Sequence, residues 1–201
     1  EMYALIRPVV KAKTVLELAT GTGLIAKHIV NAAAHIEATD ASAEMILEAK
    51  RDNQSAKLHF SVQDMFRLPY ADKSFDVVIV SNALHIVPQP EKALQEIKRA
   101  LKDDGVFSAA IPSQARFLWT LAYKLSTGID FRLKYKLDYD VIMNYEHINT
   151  QAEIVEICDY FFDSVKKSLF GVCDELSIYT HLSCRKPNRQ RVKDYLALLK
   201  S

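Results

Sequence analysis

The chain has 201 residues, 49% hydrophobic and 25% charged, which suits one domain with a core of its own. Its 26 Lys and Arg against 25 Asp and Glu leave a net charge of +1, so the one-sided field of a nucleic-acid binder is missing. Cys158, Cys173 and Cys184 show no C-x-x-C spacing, which argues against a disulfide framework or a zinc site and for reduced thiols in a cytoplasmic protein. No apolar run approaches the roughly 20 residues that span a bilayer. Glu1–Lys13 lacks the apolar stretch of a secretory signal. Because Glu1 is not an initiator, a trimmed chain is expected.

In chain order, short apolar runs alternate with helical periods. Strands are expected at 14–19, 36–39 and 58–62. The run Phe75-Asp76-Val77-Val78-Ile79-Val80 reads as a strand buried on both faces. Another strand is expected at 106–111, stopped by Pro112. Between them, Leu24, Ile25, His28, Ile29 and Ala32 are expected to share a helix face. Met45, Ile46 and Ala49 should share another, after an N-cap at Ser42. Ala93, Leu94, Ile97 and Leu101 should share a third, on a helix entered through Pro88 and Pro90 and stopped at Gly105. This alternation argues for βαβ units and a parallel sheet. The pattern breaks after Pro112. Residues 113–149 are dense in aromatics, including Phe117, Trp119, Tyr123 and Phe131. Thr150-Gln151-Ala152-Glu153 is a capping box opening a helix with Ile154, Ile157, Cys158 and Phe161 inward. Two last strands are expected near 165–170 and 176–184, and Pro187 separates them from a basic tail.

Chemistry concentrates where the first strand meets the first helix, in Glu17-Leu18-Ala19-Thr20-Gly21-Thr22-Gly23. Two of only 5 glycines stand there, and a turn without Cβ atoms lets a ligand lie against backbone at a helix N-terminus. Asp40 ends the second strand, where doubly wound folds grip ribose hydroxyls; a helix cap is its ordinary alternative. Asp64 follows the third strand and Ser81 ends the fourth. His85 lies just beyond, and an unperturbed pKa near ~6.5 suits a base, while pocket shaping is its plainer role. Glu17 in a buried strand is costly without a partner, so a structural hydrogen bond and direct ligand contact are both open to it. His28 and His59 read as surface or packing residues.

The stretches VLELATGTG, EATDAS, VQDMFRLPYADKSFDVVIVSNALHIV and LQEIKRALKDDGVF resemble the class I S-adenosylmethionine-dependent methyltransferases. They are most similar to the small-metabolite group that contains the ubiquinone and menaquinone biosynthesis enzymes. The resemblance covers roughly residues 14–112. It implies an α/β, Rossmann-like, doubly wound and mostly parallel seven-stranded sheet, with helices on both faces and an antiparallel last strand. It implies S-adenosylmethionine as cofactor, with its methionine part over Ala19, Thr20, Gly21 and Gly23. Carbonyls near Ala19 and Ser81 would hold the amino group, and Glu17 would support the loop. Asp40 would take the ribose hydroxyls. Ala41 and Met45 would flank the adenine, and Asp64 and the Met65 amide would bond it. The sequence departs from the family pattern at Ala19, where many members have glycine, and at Asp103-Asp104-Gly105, which replaces Pro-Gly-Gly.

A sulfonium is already a strong electrophile, so such an enzyme needs alignment and exclusion of water more than a catalytic triad. The partner implied is a small-molecule acceptor. The aromatics of 113–149 suggest that it is apolar or aromatic and that this insertion covers it within a single domain. The tetrapeptide typical of methylation at exocyclic amines is absent after the fourth strand, which disfavours nucleobases. A nicotinamide-dependent oxidoreductase would want G-x-G-x-x-G, but Ala26 stands at the third glycine. A non-catalytic binding module on the same fold is the other alternative. No metal is expected, and the sequence leaves the oligomeric state open.

Overall fold

The computed structural model describes residues 2–112, 148–171 and 177–191. The insertion and the basic tail therefore fall mostly outside the described residues, as does Cys173. The described chain runs α1 (Met2–Ile6), β1 (Thr14–Leu18), α2 (Leu24–Ile29), β2 (His35–Asp40), α3 (Ala43–Asp52), β3 (Leu58–Val62), β4 (Phe75–Ser81), α4 (Pro90–Ala100), β5 (Leu101–Pro112), α5 (Gln151–Phe161), β6 (Phe162–Gly171) and β7 (Ser177–Pro187).

The strands form one seven-stranded sheet in the order β3-β2-β1-β4-β5-β7-β6. β1 to β5 pair in parallel. β7 runs antiparallel to both β5 and β6, so the last strand is the reversed one, as expected. Side chains alternate between the faces. Leu16, Leu18, Val78, Val80 and Phe107 pack with Leu94 and Ile97 of α4 and with Ile154 and Phe161 of α5. Val15, Ile36, Ala38, Phe60 and Ile79 pack on the other face with Ile6, Ile25, Ile29 and Ile46 from α1 to α3. A parallel sheet covered on both sides accounts for the unbroken apolar run of β4.

Local signals explain most boundaries. The Ser42 side chain accepts from the Met45 amide at 3.3 Å and starts α3. Thr150 and Glu153 close the capping box of α5 from both sides. Pro90 opens α4, where its missing N–H costs nothing.

Several expectations need correction. α4 stops at Ala100, not Gly105, and β5 begins at once with Leu101 opposite Phe75. Gly105 lies inside that strand, where a Cβ would come within 2.7 Å of the Leu101 side chain. On α2 the buried residues are Ile25, Ala26 and Ile29, while Leu24 and His28 face outward and Ala32 lies beyond its end. Six residues are too few turns for a period to fix a face. The helix also enters from Gly23 in a left-handed conformation, φ 77°, which sets its rotation. On α3 only Ile46 and Ala49 are buried and Met45 faces outward, and on α5 Ile157 is only partly buried. The N-terminal segment adds what periodicity missed, since Ile6 and Val10 are core residues.

Candidate active site

The topology brings the expected residues to one edge. β1 lies between β2 and β4, so successive connections leave it in opposite directions, and a crevice opens beyond the carboxyl ends of these strands. The 19–23 turn follows β1 and Ser81 ends β4, on either side of that crevice. Asp40 ends β2, and Asp64 and Met65 follow β3.

The turn is pinned from its neighbours. The Thr20 amide donates to Thr39 O at 2.9 Å, and the Gly23 amide to Thr20 O at 3.0 Å. The Asp40 carboxylate takes the Gly21 amide on Oδ2 at 2.8 Å and the Ser42 amide on Oδ1 at 2.9 Å. Asp40 thus ties the β1 turn to the entry of α3, and each oxygen retains a second lone pair. The two glycines serve different ends. Gly21 has φ +56° and nothing within 4 Å of a built Cβ, so its face is open for a ligand. A Cβ on Gly23 would lie 2.7 Å from the Phe60 ring, so packing on β3 by itself requires glycine there. Ala19 also has positive φ, 52°, a conformation that costs alanine about 1 kcal/mol or more relative to glycine.

Glu17 is 2% exposed. Its carboxyl lies by the Ala26 amide, in the first turn of a helix whose cap, Gly23, offers no side chain. Burial pushes its pKa up to about 8, against smaller opposing pulls from Thr20 and the Ala26 amide. The Thr20 hydroxyl stands close, yet neither it nor Glu17 Oε2 completes a hydrogen bond. Buried polar atoms are nearly always paired in native proteins, and these two, beside an open glycine turn, fit a polar ligand.

Around the crevice, Ala41 is exposed and Met45 is 38% exposed at the start of α3. Asp64 is exposed and accepts the Phe66 amide at 2.9 Å; Met65 is half-buried. Beyond Ser81, Asn82 adopts φ 56°, which asparagine tolerates well. His85 is buried, at 5% exposure. His28 stacks on Tyr3 at 4.2 Å, and His59 pairs with Glu37 at 2.7 Å; neither belongs to this edge.

One contributor was invisible in the sequence. The Asn149 amide donates to His85 O at 3.0 Å, and its side-chain Nδ2 donates to Leu84 O at 3.0 Å and Val87 O at 2.6 Å. A single residue at the end of the insertion thus sutures the segment that follows β4.

Residues 16–109 match the family described as "Methyltransferase domain". A demethylmenaquinone methyltransferase of Thermotoga maritima is 31% identical over 128 residues, which are 61% of this chain and 55% of that protein. A ubiquinone/menaquinone biosynthesis C-methyltransferase of Bdellovibrio bacteriovorus is 38% identical over 96 residues, 45% of this chain and 40% of that protein. The chain spans about half the length of these curated relatives. Among solved structures, an S-adenosylmethionine-dependent methyltransferase of Aquifex aeolicus superposes with a TM-score of 0.65 at 14% identity, over 92% of this chain and 88% of that one. One from Mesorhizobium loti gives 0.63 at 15% identity, over 91% and 95%. At those identities the likeness establishes the shared fold alone. No helix among the described residues is long and apolar enough to cross a membrane.

Proposed function

We propose that this chain, whose residues 16–109 match a methyltransferase domain, is a class I methyltransferase that transfers a methyl group from S-adenosylmethionine to a small-molecule acceptor. The observation that carries the reading is the pair of unsatisfied buried groups, Glu17 Oε2 and Thr20 Oγ1, under a glycine turn whose Gly21 face is open. A cationic, hydroxyl-rich ligand fits that chemistry. S-adenosylmethionine would supply an activated methyl on sulfur.

Each expected residue takes a role on this reading. Thr20, Gly21, Gly23 and the Ala19 and Ser81 carbonyls hold the amino-acid part. Asp40 accepts from the ribose hydroxyls with the lone pairs left by Gly21 and Ser42. Ala41 and Met45 flank the adenine, and Asp64 and the Met65 amide bond its edge. The protein's task is then to align the acceptor and keep water out. His85 is the candidate base for an acceptor that starts as a protonated oxygen or nitrogen. Residues 113–149 are assigned to cover the acceptor. Relatives named for demethylmenaquinone support an apolar, aromatic one.

Titration calorimetry tests the cofactor. S-adenosylmethionine and S-adenosylhomocysteine should bind, while NAD and NADP should not. Asp40→Ala should weaken binding by about 1.5–3 kcal/mol, the range for hydrogen bonds to a charged group. Unchanged affinity in that variant would restrict Asp40 to holding the loop, and binding of the nicotinamides alone would overturn the reading. A methyl-transfer screen over quinone-like, aromatic and carboxylate metabolites then seeks the acceptor.

A further inference from the structure

Among the described residues Glu17 has no counter-charge. It sits at the end of β1 with Ala38 of β2 and Ile79 of β4 opposite it in register. The hydroxyl of Thr39, the next residue on β2, is directed to Glu17's own carbonyl, at 3.3 Å. From α2 it meets the Ala26 amide, while Lys27 and His28 of that helix are exposed. Across the turn the nearest acid placed by the topology is Asp40, whose oxygens already hold the Gly21 and Ser42 amides. No charged side chain is among the groups that shift Glu17. A carboxylate so enclosed is costly, and the group stays neutral until a positive charge arrives.

We propose that binding of the cofactor's amino-acid part discharges a proton from Glu17. This inference rests on the cofactor reading above. In the free protein the carboxyl holds its O–H bond. When the α-ammonium group of the ligand settles under the turn, that bond breaks, the proton passes to solvent, and a carboxylate faces an ammonium in its place. The ligand keeps its own proton. Both charges are therefore needed in the complex, and each is available in only part of the pH range. Below the Glu17 transition, near pH 8, binding must remove a proton from the protein. Above the transition of the ligand's α-amino group, which its own carboxylate holds higher than a peptide N-terminus, binding must add one to the ligand. Affinity should peak between the two and fall by up to about tenfold per pH unit on either side.

The test is titration calorimetry of the whole chain, in buffers that differ in ionisation heat, with two probes. S-adenosylhomocysteine carries the α-ammonium, and 5′-methylthioadenosine has the same nucleoside without the amino acid. At pH 7, S-adenosylhomocysteine should release close to one proton per site and 5′-methylthioadenosine none. At pH 9 the sign should reverse to uptake for S-adenosylhomocysteine. Glu17→Gln should abolish the release at pH 7 and leave the uptake at pH 9. Equal heats in all buffers at pH 7, release with 5′-methylthioadenosine, or release that survives in Glu17→Gln would each overturn the proposal while leaving the cofactor in place. No binding of S-adenosylhomocysteine at any pH would overturn the cofactor reading and this inference with it. Should Glu17→Gln fail to fold, infrared difference spectra of the wild type decide the matter: adding S-adenosylhomocysteine must remove a protonated-carboxyl band, and its persistence sinks the idea.

Discussion

Where β1 and β4 begin, Asp76 accepts the Thr14 amide at 2.9 Å and pairs with Lys102 at 2.8 Å. Next to it Asp103 pairs with Lys73 at 2.6 Å and Arg189 at 2.8 Å. Arg99 reaches Asp72, Glu96 and the carbonyls of Leu68 and Tyr70. Even the buried Lys98 is satisfied there, by the Asn188 carbonyl and the Phe161 ring. At the carboxyl ends of β1 to β3, Glu17, Asp40 and Asp64 have no ion pair among the described residues, and Glu17 Oε2 and Thr20 Oγ1 complete no hydrogen bond. One end of the sheet spends its polar groups on holding the chain together. The other ties its acids only to backbone amides and leaves them without ion pairs, and that difference sets the crevice apart from the opposite end.

The contrast can be broken most forcefully through pH. Glu17 titrates near 8 when folded and near ~4.3 when unfolded. Between those values the native state holds a proton that the unfolded state has lost. Its stabilising share is therefore complete below about pH 4.3 and is lost as pH rises towards 8. Relative to Glu17→Gln, the free wild-type protein should lose about 1.4 kcal/mol of stability per pH unit across that window. Urea titrations of both proteins at pH 5, 6.5 and 8 read the difference. Parallel curves would mean that Glu17 is already paired.

Gly23→Ala should come next, at about 2–4 kcal/mol of destabilisation, because it combines overpacking against Phe60 with a left-handed backbone. Thermal melts check this. Phe60→Leu should recover part of the loss by yielding the space. At the opposite end, Arg99→Ala should cost about 1.5–3 kcal/mol, from lost hydrogen bonds to charged groups, with no change in cofactor affinity. A weakened affinity there would show that the two ends are coupled. The smallest effect runs the other way. Ala19→Gly relieves a positive φ and should stabilise the fold by about 0.5–1 kcal/mol in denaturant titration.

The strands were legible because β-branched and apolar runs with turn residues between them leave few alternatives, as in Phe75–Ser81 and Leu58–Val62. The caps at Ser42 and Thr150 were legible because side-chain chemistry at fixed offsets decides them. The candidate site residues could be placed on one edge because they lie at or shortly after the carboxyl ends of parallel strands. Other features depended on contacts across the chain. The packing demand at Gly23 was not legible, because the Phe60 ring that a side chain there would meet comes from β3. The outward turn of Leu24 and His28 follows from a helix too short to show a period. Asn149 binds carbonyls more than sixty residues earlier, and nothing in its own neighbourhood announces that.

The Asn149 suture also bears on how such a protein changes over generations. Pro112 is fixed in the sheet opposite Tyr179 and Asn149 is fixed to the segment after β4, so the chain between them leaves and re-enters at two anchored points. The entropy of closing a loop between fixed ends grows only as the logarithm of its length, by about 0.6 kcal/mol for each doubling. Residues can be gained, lost or exchanged between those anchors at little thermodynamic expense to the frame. If that span chooses the acceptor, as proposed, one scaffold can try many acceptors in succession while the ends of β1 to β4 keep the cofactor's place.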